Sequence, residues 1–186
     1  MKKFLIIAFT LFIIIMASFF GYVYYQNKVV TQPIDPLYDA NIQIGQRIDL
    51  IVINKAQRSM TVYHQNNPLK KYKIALGFEP VGPKQQQGDG KTPEGIYTII
   101  DKNPKSMFHL SLKISYPSTE DILNAKKLGV SPGGDIMIHG LSDGFQWLGK
   151  MHTQRDWTLG CIALSNDEIE EIYEHVPVGT KIIINP

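Results

Sequence analysis

Apolar and polar positions alternate with a period of two through QRIDLIVINKAQRSMTVYHQNNPLKKYKIALG, the stretch from Gln46 to Gly77. Ile48, Leu50 and Val52 form one apolar set, and Met60, Val62, Leu69, Tyr72 and Ile74 continue it around turns near Lys55–Arg58 and Asn66–Pro68. This period predicts a meander of strands. Residues 77–95, GFEPVGPKQQQGDGKTPEG, break it with closely spaced glycines and prolines and read as a long loop. Strand patterning returns over residues 95–103 and 109–117. STEDILNAKKLGV then predicts a short helix, capped by Ser118 or Thr119 and stopped by Gly129. A second helix follows Ser165, whose S-x-x-E relation to Glu168 is a capping box and whose continuation places Ile169, Ile172, Tyr173 and Val176 on one stripe. A turn and a last strand, KIIIN, close the chain. The expectation is a mostly β domain with two or so short helices.

The N-terminus carries a different pattern. Lys2 and Lys3 precede a run from Phe4 to Tyr25 without a charged residue. As a helix that run would extend about 33 Å, close to the hydrocarbon thickness of a bilayer. Tyr22, Tyr24 and Tyr25 suit the far interface, and the two lysines the cytoplasmic side. Residues 1–27 are therefore expected to be a signal anchor in the bacterial inner membrane, residues 28–45 a proline-punctuated linker, and residues 46–186 a single domain on the periplasmic side. Secretion into the periplasm after signal cleavage is the alternative, though no clean small-residue cleavage site follows the run. A formal net charge of +2 is too small to imply a nucleic-acid partner.

Compartment gives weight to the one cysteine of the chain, Cys161. An oxidising compartment favours paired thiols, and this one has no partner in the chain. One reading makes it a small buried apolar residue. The other makes it a nucleophile, because His139 ends the apolar run Ile136–Ile138 just before Gly140, where a strand gives way to a loop. A cysteine beside a histidine can pass its proton to the imidazole and attack an acyl carbon. A zinc hydrolase built from His139, His152 and Cys161 lacks any C-x-x-C or H-E-x-x-H pattern to support it. The glycines of the 77–95 loop match no phosphate-binding signature.

Several of these residues stand in an order that resembles the L,D-transpeptidases of bacterial cell walls, the family with the YkuD-type catalytic domain. They are IHG at 138–140, T-x-G-C at Thr158–Cys161 followed by Ile162, V-x-G-T at Val178–Thr180, and GDGKTPEG at 88–95. The resemblance implies a β-sandwich-like catalytic domain without metal or organic cofactor. It implies Cys161 as nucleophile, His139 as base, the backbone at Gly140 as acceptor of the other imidazole N–H, and amides near Gly160 and Cys161 as the oxyanion site. The implied substrate is a peptidoglycan stem tetrapeptide, which loses its D-alanine as the acyl group passes to an amine of a neighbouring stem. Hydrolysis of the same thioester, as in an L,D-carboxypeptidase or amidase, and a wall-binding module with an inert cysteine are the competing outcomes. Where the family often carries histidine and arginine, this chain has Leu159 and Ala163, so a substrate carboxylate would fall to Arg155 or Lys150. Thr158, His152, Trp147 and Trp157 complete the set of candidate substrate-binding residues. His152 is read either as a second imidazole near the thiol or as the partner of Asp156 in a turn, and His109 and Ser111 are further cleft candidates.

Overall fold

The computed structural model describes residues 12–22, 35–39 and 43–186. The chain divides into two units, Met1–Asp35 and Pro36–Pro186. In the first, residues 12–22 are helical and expose Phe12, Ile14, Ile15, Phe19 and Phe20. Among the described residues no helix is long and apolar enough to cross a membrane. The remainder of the expected anchor, residues 1–11 and 23–27, lies outside the described residues, as do 28–34 and 40–42 of the expected linker.

The second unit is built on eight strands. They are β1 (Leu50–Asn54), β2 (Ser59–His64), β3 (Asn67–Lys73), β4 (Gly95–Ser106), β5 (His109–Ile114), β6 (Met137–His139), β7 (Ile162–Ala163) and β8 (Lys181–Asn185). They form one sheet in the order β3-β2-β1-β8-β4-β5-β6-β7. The domain expected to be mostly β and sandwich-like is a mixed α/β domain built on this single curled sheet. The physical reason lies in β4, which is 12 residues long and serves both halves. Residues 95–98 pair with β8, while residues 99–106 pair with β5 through two register irregularities. Extra residues in one strand bend it and increase its twist, so the sheet curls into a half-barrel instead of splitting. The curl brings its two edges together: beyond β3, Ala75 exchanges both backbone hydrogen bonds with Ala163 of β7, at 2.9 and 3.1 Å.

The interior is dominated by isoleucine. Ile51, Ile53, Met60, Val62, Tyr72, Ile99, Leu112, Ile138, Ile162 and Ile182 are buried together, each large aliphatic side chain contributing about 1.5–3 kcal/mol by leaving water. In β1 the inward set is Ile51 and Ile53, with Leu50 and Val52 half-buried, the opposite phase from the one the alternation suggested. LIVIN is apolar on both faces, so its phase is set by the pairing with β2 and with the parallel β8. Pro68 occupies β3, an edge strand, where a missing N–H costs the ladder nothing.

Both helices form where local chemistry predicts. In α1 (Thr119–Leu128) Ser118 and Asp121 cap each other, and Gly129 ends the helix at φ 69°. In α2 (Asn166–His175) the Ser165 N–H donates to Glu168 at 3.1 Å, and Ile169, Ile172 and Val176 are buried against the sheet. Two 3-10 segments, Pro36–Tyr38 and Gln146–Gln154, lie in the connections.

Candidate active site

The site is assembled by β6 and β7. These two strands run parallel with His139 opposite Ala163 and Ile138 opposite Ile162. Continuing that register one step sets Cys161 opposite Met137, on the same face as His139, because side chains alternate along a strand. Residues 22 positions apart in sequence are thereby neighbours, and both stand where strand becomes loop.

Gly140 fixes the imidazole. His139 Nδ1 lies 2.7 Å from the Gly140 carbonyl oxygen. A carbonyl only accepts, so Nδ1 carries the proton and Nε2 is left with its lone pair. No side chain fits at 140, since a Cβ there would stand 2.7 Å from Asn166 Oδ1 and 2.9 Å from Ile169 Cγ2. The Gly140 N–H donates to Phe108 O at 3.1 Å, and Asn166 Oδ1 accepts the Leu141 N–H at 2.7 Å. The His139 ring is stacked on Phe108, with centroids 4.5 Å apart, and meets Trp157 edge-on at 5.9 Å. Only 3% of His139 is exposed. Burial holds its pKa below the ordinary histidine value, against the opposing pull of the Gly140 carbonyl.

Cys161 is half-buried. Its Sγ donates to the Asp135 carbonyl at 3.5 Å instead of to His139. Burial raises the thiol pKa, the Met137 amide lowers it, the Asp135 carboxylate raises it and the Lys84 ammonium lowers it, with burial the largest influence and the net shift upward. Depressed imidazole and elevated thiol together favour a neutral resting pair over a thiolate–imidazolium ion pair. The turn before the thiol is closed from inside: the Thr158 hydroxyl donates to Cys161 O at 2.8 Å and accepts the Gly160 N–H at 3.1 Å. Thr158 is thus buried and shapes the turn. The Gly160 amide is engaged there. Gly160 adopts φ 134°, and a Cβ on it would stand 2.6 Å from Lys91 O.

The connection carrying the remaining candidates is pinned by Asp156. Its carboxylate accepts from Arg58 Nε and Nη2, at 3.0 and 2.8 Å, and from the Leu76 N–H at 2.9 Å. Asp156 is therefore not the partner of His152, which corrects the local pairing considered above. His152 is buried on the Gln146–Gln154 segment, and neither ring nitrogen has a hydrogen-bond partner. Burial depresses its pKa to about 4, and repulsion from His139 adds to this. Trp147 and Arg155 are exposed and make no hydrogen bond, ion pair or ring contact with His139 or Cys161 among the described residues. Lys150 faces Glu168 at 3.7 Å. His109 pairs with Glu170 at 2.5 Å, and buried Ser111 lies opposite His139 in the β5–β6 ladder. Phe108, Asp135, Met137 and Lys84 escaped sequence reasoning, and no local signal marks them, because each reaches the site through strand pairing or a long loop. Among the described residues no three His, Cys, Asp or Glu side chains are grouped so as to hold a metal ion.

A glycine-backed imidazole beside a cysteine on two parallel strand ends, in a curled eight-stranded sheet, matches one catalytic domain. The L,D-transpeptidase catalytic domain of the YkuD family corresponds to residues 48–184. This chain belongs to that family. YafK of Escherichia coli K12 is 30% identical over 132 residues, covering 68% of this chain and 46% of YafK. YqjB of Bacillus subtilis 168 is 26% identical over 137 residues, covering 72% of this chain and 69% of YqjB. Both are provisionally named L,D-transpeptidases. The helical cell shape determining protein Pgp2 from Campylobacter jejuni superposes with a TM-score of 0.57 at 27% identity, covering 80% of this chain and 52% of Pgp2. This chain thus spans about half the length of YafK and of Pgp2.

Proposed function

We propose that the protein is a peptidoglycan L,D-transpeptidase that works through an acyl-enzyme on Cys161. The observation that carries this is the bond from His139 Nδ1 to Gly140 O, which leaves Nε2 as an acceptor on the face that Cys161 shares. In the first half-reaction the thiol proton passes to His139 Nε2 as sulfur attacks the carbonyl of the third stem residue, at its L-centre. The C=O electron pair moves onto oxygen, where the Cys161 N–H receives it. Collapse breaks the C–N bond to D-alanine, whose nitrogen takes the proton back from His139. In the second, an amine of a neighbouring stem attacks the thioester and passes its proton by way of His139 to the departing sulfur.

Belonging to the family supports peptidoglycan stem peptides as substrate, and the likeness to Pgp2 supports a part in cell-wall cross-linking or remodelling that affects cell shape. The charge-free run behind Lys2 and Lys3 supports attachment to the inner membrane with the catalytic domain in the periplasm. One observation favours hydrolysis as a second outcome: Ala163 is fully buried in the sheet, so no fixed cation stands two residues after the thiol to hold an acceptor. The test is intact-mass spectrometry after incubation with a stem tetrapeptide, with product analysis. Wild type should gain the tripeptide acyl group and release D-alanine, while Cys161→Ser should do neither. Equal adduct on Cys161→Ser would overturn the assignment, and the ratio of cross-linked to free tripeptide separates transfer from hydrolysis.

A further inference from the structure

Two peptide units flank Gly140, and different kinds of group hold them. The His139–Gly140 unit is held by backbone: its carbonyl accepts the Leu164 N–H at 2.9 Å, and its N–H donates to Phe108 O at 3.1 Å. The Gly140–Leu141 unit is held by side chains: its carbonyl accepts from His139 Nδ1 at 2.7 Å, and its N–H donates to Asn166 Oδ1 at 2.7 Å. The carbonyl that fixes the imidazole and the N–H that Asn166 holds therefore lie in one rigid plane. Gly140 has no side chain to restrain the torsions on which that plane turns. Helix α2 does not use the Asn166 side chain for its own start, because Ser165 and Glu168 form the capping box. The amide instead reaches across to a residue 25 positions earlier in the chain.

Resting on the acyl-transfer reading above, we infer that Asn166 is a positioning residue for His139, acting through the Gly140–Leu141 peptide unit: by holding the N–H it aims the carbonyl at Nδ1 and so keeps Nε2 unprotonated. The N–H and C=O of a trans peptide point in opposite directions, so fixing one fixes the other. Leu141 is buried, and without Asn166 its N–H would be left unpaired. Rotation of the unit toward another acceptor relieves that cost and carries the carbonyl away from the ring. The imidazole then populates both tautomers, and the fraction with its proton on Nε2 cannot take one from the thiol.

The test uses the full-length chain. With histidine ring nitrogens labelled and His139 assigned through bonds to its backbone, the free protein should show one tautomer, protonated at Nδ1, at a pH where the ring is neutral. Asn166→Ala and the isosteric Asn166→Leu cannot accept the Leu141 N–H and should show a mixture of tautomers. Asn166→Asp keeps an acceptor in place and should restore the single tautomer. In turnover of a stem tetrapeptide, the two variants without an acceptor should lose about tenfold in kcat while KM stays within about threefold of wild type, and Asn166→Asp should recover most of the loss. Glu168→Ala loosens the start of the same helix without touching the Gly140–Leu141 unit and should keep the single tautomer, which separates positioning from a general loss of stability. A single Nδ1 tautomer in Asn166→Ala or Asn166→Leu, a mixture in Asn166→Asp or Glu168→Ala, or a wild-type kcat in the variants without an acceptor would each overturn the inference. If Asn166→Ala fails to fold, Asn166→Leu decides. A wild-type protein that forms no acyl-enzyme would instead remove the acyl-transfer reading while the tautomer comparison still stands, so the two failures are distinguishable.

Discussion

Acidification tests the burial of His152 directly. Its folded-state pKa is about 4, against an ordinary 6.5, so the unfolded chain takes up the proton first. Stability must therefore fall as pH drops below 6.5 and level off only below about 4. The residue is 5% exposed, so solvent screening does not discount the effect. Integrating the proton uptake, the loss attributable to His152 is about 2 kcal/mol on going from pH 7 to pH 5 and about 3 kcal/mol by pH 4. His139, also depressed by burial, adds a loss of the same sign. Asp89 does not enter this window: its carboxyl is held below the usual range by Lys84 and three backbone N–H groups against the cost of burial, and its contribution is lost only further into acid. The assay is urea unfolding at pH 7 and pH 5 of wild type and His152→Gln, which cannot titrate. Wild type should lose about 2 kcal/mol more than the variant over that interval. Equal losses in the two proteins would refute a buried, neutral His152.

Two other perturbations probe the thiol turn. Gly160→Ala places a methyl 2.6 Å from Lys91 O at φ 134°; thermal unfolding should show a loss of about 2 kcal/mol or more, with acylation reduced as Cys161 shifts, and a wild-type melting curve would contradict the contact. Alkylation of Cys161 should have its pH midpoint above the ordinary thiol value, because burial outweighs the Met137 amide and Lys84; a midpoint near 7 or below would show that an ion pair, not a neutral pair, is the resting state.

Much that was legible in the sequence is local. Ser118 with Asp121 and Ser165 with Glu168 announce helix starts because a cap joins groups three residues apart. The turn expected near Asn66–Pro68 falls slightly earlier, at Gln65 and Asn66, both at positive φ, with Pro68 already in β3. The residue types at 139 and 161 suggested the chemistry proposed above, since only a few side chains can serve as acyl nucleophile and base. What tertiary structure alone decided is relational. One curled sheet replaced the expected sandwich because β4 bends and pairs on both sides, and the phase of LIVIN came from β2 and β8. Asp156 bonded Arg58, 98 residues away, and not the histidine four residues before it. Thr158 turned inward to hold the Cys161 loop, and Phe108 reached the His139 ring from the β4–β5 turn. Caps and turns join neighbours along the chain and so leave a pattern in it. Register, edge closure and the choice of partner for a buried charge are settled by comparing all the surfaces that the folded sheet brings together, and no window of residues contains that comparison.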